Sequence, residues 1–148
     1  MKWKGENIYI PNKTSVQITR RDGTVLEFKL QAIEDMNSFE ELYPEPKPPW
    51  VKNNKGQVTY QKNDAKYKEA FADWARKRML WIILKSLEPT EDLEWESVDI
   101  NDPESYELFE DELKEAGLNV AEINKITMAA LEANSLKDEV IERAQEDF

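Results

Sequence analysis

The stretch DAKYKEAFADWARKRMLWIILKSLE, residues Asp64 to Glu88, decides how the rest of the chain must fold. It holds neither Gly nor Pro. Tyr67, Phe71, Trp74, Arg78 and Trp81 follow at steps of four, three, four and three, the spacing of one helix face. Asp64 is placed to cap the start, Lys85 puts a cation in the last turn where the helix dipole favours one, and Pro89 stops the helix. Met79 to Leu84 is apolar on every side. Such a helix needs cover from several directions, so other segments or a partner must pack around it.

Upstream, the pattern changes to period two. Asn7 to Ile10 reads as a short strand ending at Pro11; Thr14 to Thr19 places Val16 and Ile18 on one side; Thr24 to Ile33 places Leu26, Phe28 and Leu30 on one side. Asp22-Gly23 between the last two is a hairpin signal, because both residue types tolerate positive φ. Arg20 and Arg21 beside the turn could bind an anion, but solvated charge is the simpler reading in so acidic a chain. Asn37-Ser38-Phe39-Glu40 matches a capping box and predicts a short helix through Leu42.

Four prolines in Tyr43 to Trp50 favour extended polyproline II, as a semi-rigid spacer or, less simply, as a PxxP ligand. Residues 51–63 read as a polar loop. Downstream of Pro89, Leu93 and Trp95 alternate with Asp92, Glu94 and Glu96. Paired carboxylates can act as acid and base or bind a cation, but this alternation is that of a half-buried extended segment.

The C-terminal third predicts three short helices. Asp102-Pro103 opens one that carries Tyr106, Phe109, Leu113 and Ala116 on one stripe and ends at Gly117. Asn119 and Glu122 form a capping box for the next, with Ile123, Ile126, Ala130 and Ala133 inward and an end at Asn134. Ser135 opens the last, with Leu136, Val140, Ile141 and Ala144 inward. These stripes are narrow, so the three helices must wrap the long one. The fold class is therefore α+β. An N-terminal antiparallel β-hairpin or small sheet with a short helix (1–43) leads through a Pro-rich linker and polar loop (44–63) to a helical domain (64–148) built on one long central helix with three shorter C-terminal helices.

Composition narrows the function. Among 148 residues there is no Cys and no His, which removes disulfides, thiol nucleophiles, His-dependent triads and Cys or His zinc sites. No Gly-rich phosphate loop, dinucleotide fingerprint, EF-hand or nucleophile elbow occurs, and the acids of Glu104 to Glu115 read as a solvated face. The expectation is a non-enzyme without cofactor or metal. A formal net charge of −11 disfavours nucleic acid as a partner. The apolar run of Met79 to Leu84 is far short of the roughly 20 residues of a membrane span. A cytoplasmic, membrane-free setting is expected.

The order of segments carries a resemblance. An N-terminal hairpin, then YPEPKPP, a variable loop, the helix AKYKEAFADWARKRM running into LWIILKSLEP, the acidic EWESVD, the helix DPESYELFEDELKEAG and the closing LNVAEINKITMAALEANSLKDEVIERAQEDF together resemble the tail assembly chaperones of long-tailed bacteriophages. The resemblance covers nearly the whole chain and rests on layout and composition. It implies a non-catalytic protein of the host cytoplasm that binds the tape measure protein, keeps it soluble, and releases it as tail tube protein polymerises around it. It also implies that a short and a frameshifted long form are often made.

Aromatic and Arg side chains dominate interface energetics, so Trp50, Trp74, Arg78 and Trp81 are the candidate protein-binding residues, with core packing the competing role for Trp74 and Trp81. The apolar surplus of the long helix also suggests a homo-oligomer when no client is bound. Two other readings are an acidic DNA mimic that inhibits a host protein as a counter-defence device, and a virion structural or connector protein. Against the mimic, Lys66, Lys68, Arg76, Lys77 and Arg78 interrupt the acids.

Overall fold

The alternating segments near the N-terminus become antiparallel pairs. A computed structural model describes residues 1–7 and 12–136. Strands β1 (Lys2–Trp3) and β2 (Glu6–Asn7) pair around Gly5, while most of the strand expected at 7–10 lies outside the described residues. Strands β3 (Lys13–Thr19) and β4 (Val25–Gln31) pair with Val16 opposite Phe28 and Ile18 opposite Leu26, which gathers the apolar side chains on one face. At the turn only Gly23 takes positive φ, at 87°, and its N–H donates to the Arg20 carbonyl at 3.0 Å. The hairpin therefore closes with a three-residue loop, and Asp22 does not share the left-handed conformation.

Helix α1 (Ser38–Leu42) forms where expected but not by the expected cap. Asn37 has helical backbone angles and its side chain makes no capping bond. Asp35 does that work: its Oδ1 accepts from Asn37 N–H at 3.0 Å and its carbonyl from Ser38 Oγ at 2.8 Å. Residues 51–63 are also more ordered than a plain loop. Strands β5 (Trp50–Lys52) and β6 (Val58–Tyr60) pair antiparallel, and Asn53 Oδ1 gathers the N–H groups of Lys55 and Gln57, each at 2.9 Å, to build the turn. The signal in the sequence is Trp50 and Val51 before, and Val58, Thr59 and Tyr60 after, a turn that holds Asn53 and Gly56.

Helix α2 (Ala65–Ser86) is the long central helix, capped by Asp64, whose Oδ2 accepts from Tyr67 N–H at 3.0 Å. The helix expected from Pro103 begins as a 3-10 turn (Pro103–Leu108) and continues as α3 (Phe109–Glu115). Gly117, at φ 97°, ends it in a Schellman motif in which Leu118 N–H returns to the Leu113 carbonyl at 3.1 Å. Ala116 is exposed, so it leaves the expected stripe, and Leu118 just past the turn is buried in its stead. Helix α4 (Val120–Ala133) has the full Asn119–Glu122 capping box. Ser135, at φ 57°, is the left-handed residue that closes α4, with Leu136 N–H bonded to the Leu131 carbonyl at 2.8 Å. The rest of the helix expected from Ser135, from Lys137 on, lies outside the described residues.

The architecture is α+β, with antiparallel hairpins around helices packed on α2. One core joins them: Ile18, Phe28 and Leu30 of the β3–β4 hairpin, Phe39 of α1, Trp81 to Leu84 of α2, Phe109 and Leu113 of α3, and Ile123, Ile126 and Ala130 of α4. The hairpin docks chiefly on α4, whose small residues Ala129, Ala130 and Ala133 are all buried. Each large apolar side chain in this core contributes roughly 1.5–3 kcal/mol. Phe39, fully buried, is the one large apolar side chain that α1 sends in.

Candidate protein-binding groove

The steps of four and three along α2 stack its aromatic residues. Ring centroids lie 6.0 Å apart for Tyr67 and Phe71 and 5.8 Å for Phe71 and Trp74. Phe39 of α1 then continues the stack, 6.0 Å from Trp74 and 5.6 Å from Trp81. The stack runs from open surface into the core: Phe71 is 37 % exposed, whereas Trp74 and Trp81 are buried. Trp74 Nε1–H is satisfied by the Tyr43 carbonyl at 2.9 Å, which fixes the indole.

Beside this stack, α1 and α2 leave a groove of about 440 Å³. Met36, Phe71, Trp74 and Met79 give it an apolar lining, and Glu40, Glu45 and Arg78 supply charge. Of the four candidate residues, the structure brings Trp74 and Arg78 together in this groove. Trp81 lies below it, in the core against Phe39, and Trp50 stands apart on the exposed β5–β6 hairpin. Sequence reasoning missed Met36 and Met79 here. In the sequence Met79 belongs only to the apolar run, and Met36 carries no periodic signal.

The opposite side of the stack is held by charge. Lys77, one of the cations that interrupt the acids in the sequence, is only 3 % exposed. Its Nζ lies 2.9 Å from both Asp73 Oδ2 and Glu104 Oε1, and 5.0 Å from the centroid of the Tyr43 ring. Burial disfavours its charge, but the bonds to Asp73, Glu104 and the Tyr43 hydroxyl outweigh that and hold its pKa above the ordinary lysine value. The same bond from Lys77, opposed by burial and helped by the Tyr43 hydroxyl, holds Asp73 below the ordinary carboxylate value. An ammonium held in this way is a poor nucleophile and a poor base, so its role is to tie α2 to the 3-10 turn and to Tyr43.

The other candidate groups have local roles. Asp92, Glu94 and Glu96 are exposed while Leu93 and Trp95 are half-buried, as the alternation requires. Among the described residues no group of three or more acids is close enough together to hold a metal ion. Glu112, read as part of a solvated face, is half-buried and accepts the N–H groups of Glu96 and Ser97. Arg20 lies over Gly117, its guanidinium within 2.5 Å of where a Cβ there would stand.

No family model, curated protein or solved structure matches this chain. Among the described residues no helix is long and apolar enough to cross a membrane.

Proposed function

We propose that this protein is a tail assembly chaperone of a long-tailed bacteriophage. It acts in the host cytoplasm as a non-catalytic helper that binds the tape measure protein and yields it to the tail tube protein during assembly. The observation that carries this reading is the α1–α2 groove, which sets Phe71, Trp74, Met36 and Met79 beside Glu40, Glu45 and Arg78. Methionine adapts to irregular apolar partners, and an amphipathic helix laid in such a groove is a common mode of recognition. A tape measure protein is a long helical chain with apolar stretches that aggregate when bare. Arg78, Glu40 and Glu45 in its lining would orient it, and the net charge of −11 would keep the complex dissolved. The layout of the sequence supports the same family.

Co-expression with the tape measure protein of the same gene cluster tests it. Phe71→Asp changes an exposed groove residue and leaves the core intact. The wild-type chain is expected to bring the client into the soluble fraction and co-purify with it, and F71D to lose both. A client that stays insoluble with the wild-type chain, or is carried equally by F71D, overturns the proposal.

A further inference from the structure

Residues 46–63 differ from the rest of the chain in charge and in cover. They hold Lys47, Lys52, Lys55 and Lys62 and no Asp or Glu, so a segment of charge +4 sits in a chain of −11, leaving −15 on the remainder (−11 minus +4). All six residues of the β5–β6 ladder are exposed. Trp50 stands opposite Tyr60, and Lys52 opposite Val58, which puts two aromatic rings, a Val and a Lys on one face. Trp50 is 60 % and Tyr60 58 % exposed. A lone two-stranded hairpin is marginal in water, and an apolar face like this one is stabilised by being covered.

The fitting surface is on the same molecule. Residues 84–100 form a groove of about 590 Å³ with Leu87, Leu93, Trp95 and Ile100 in its lining. Glu88, Glu96 and Asp99 also line it, and Glu91, Asp92 and Glu94 are exposed alongside. Basic aromatic face and acid-edged apolar groove are complementary in both charge and hydrophobicity. We propose that the β5–β6 hairpin of one copy seats in the 84–100 groove of a second copy, with Trp50 and Tyr60 on Leu93, Trp95 and Ile100 and the lysines among the acids.

Hairpin and groove are unlike patches, so the contact is head-to-tail, and repetition gives a ring if the rotation closes and a filament if it does not. The prolines at 44, 46, 48 and 49 stiffen the chain that leads into the hairpin. Repulsion between two chains of −11 is screened beyond roughly 8 Å at physiological salt, while the direct contact is not. A lysine and aromatic face also suits single-stranded nucleic acid, but the acids and apolar side chains of the 84–100 groove match the face in both charge and hydrophobicity. This contact is separate from the α1–α2 groove, so its failure would leave client binding untouched, and the reverse.

Sedimentation velocity of the full chain over a wide concentration range at physiological salt, with circular dichroism to confirm folding, tests the contact through a charge swap. The wild type is expected to associate. Lys52→Glu with Lys55→Glu, and separately Glu94→Lys with Glu96→Lys, should each weaken association by about tenfold or more. Mixing the two variants should restore it, because the acidic hairpin of one meets the basic groove edge of the other. A monomeric wild type at every concentration, variants that associate as well as wild type, or a mixture that stays monomeric overturns the proposal. So does a monomeric wild type that captures a single-stranded oligonucleotide.

Discussion

The hydroxyl of Thr90 accepts the backbone N–H of Lys29 at 2.8 Å and donates to the Lys29 carbonyl at 2.9 Å, so one side chain satisfies both polar groups of a β4 residue. Thr90 follows the stop at Pro89 and is buried, which places the chain leaving α2 along the edge of β4 that β3 does not cover. An open strand edge invites pairing with other chains, and this contact blunts it.

Thr90→Val keeps the shape and removes both bonds. Leaving Lys29 N–H and C=O without partners at a part-buried edge should lower stability by about 1–3 kcal/mol. Thr90→Ser should recover most of it. Denaturant midpoints of the three proteins check this, and equal midpoints for wild type and T90V would refute it.

Asp73→Asn should destabilise more than Lys77→Met. Removing Asp73 leaves a buried ammonium with Glu104 as its remaining carboxylate, a loss of about 1–3 kcal/mol, whereas Met at 77 keeps the aliphatic stem and leaves two carboxylates that water can reach. The pH dependence follows from the shifts. Asp73 is held below its ordinary value, so its contribution is complete above about pH 4 and fades as pH falls through the depressed pKa. Lys77 is held above its ordinary value, so its contribution is complete below about pH 10 and fades only as pH rises through the elevated one. The acid limb of stability measured by chemical denaturation should therefore be shallower in D73N than in wild type.

Tyr106 is fully buried with its hydroxyl on the Ile100 carbonyl, and burial, reinforced by the nearby Asp99 and Asp102 charges, pushes its pKa up to about 12. In an ultraviolet titration, a phenol absent from Tyr106→Phe should ionise well after an ordinary tyrosine. Because the folded pKa is raised, wild-type stability should decline above about pH 10, and Y106F should remove that part of the decline. Identical alkaline titrations of the two proteins would count against it.

Gly117→Ala should lower stability by roughly 1–2 kcal/mol, because an L side chain at φ 97° is strained. The guanidinium tip of Arg20 would meet the new Cβ but can swing away. Arg20→Ala should therefore fail to rescue G117A in thermal melts. Full rescue would mean that crowding, not the backbone, sets the loss.

What was legible in the sequence was periodic or local. The α2 helix, the apolar face shared by Val16, Ile18, Leu26, Phe28 and Leu30, the Asn119–Glu122 capping box and the Gly117 cap each follow from residues within a few positions of one another. Local signals also misled where two devices competed. Asp35 displaced Asn37 in starting α1. For the groove, α2 declared Trp74 and Arg78, but the wall built from Met36 and Phe39 depends on where α1 packs.

Tertiary structure alone decided the polar joints, because each brings together groups far apart along the chain. Asn134 is the plainest case: its Oδ1 accepts Ile33 N–H at 2.8 Å while its Nδ2 reaches Ser86 Oγ at 2.8 Å and the Ala130 carbonyl at 2.7 Å, fastening the end of α4 to the exit of β4 and to α2. Lys77 shows the same division. Its charge, its helical position and Asp73 one turn away were fixed by the chain itself, yet whether that charge also met Tyr43 and Glu104 depended on segments 34 and 27 residues away meeting at one point. Helical and strand periods report which side of an element is apolar; they carry no information on which distant donor will find which acceptor once those sides close.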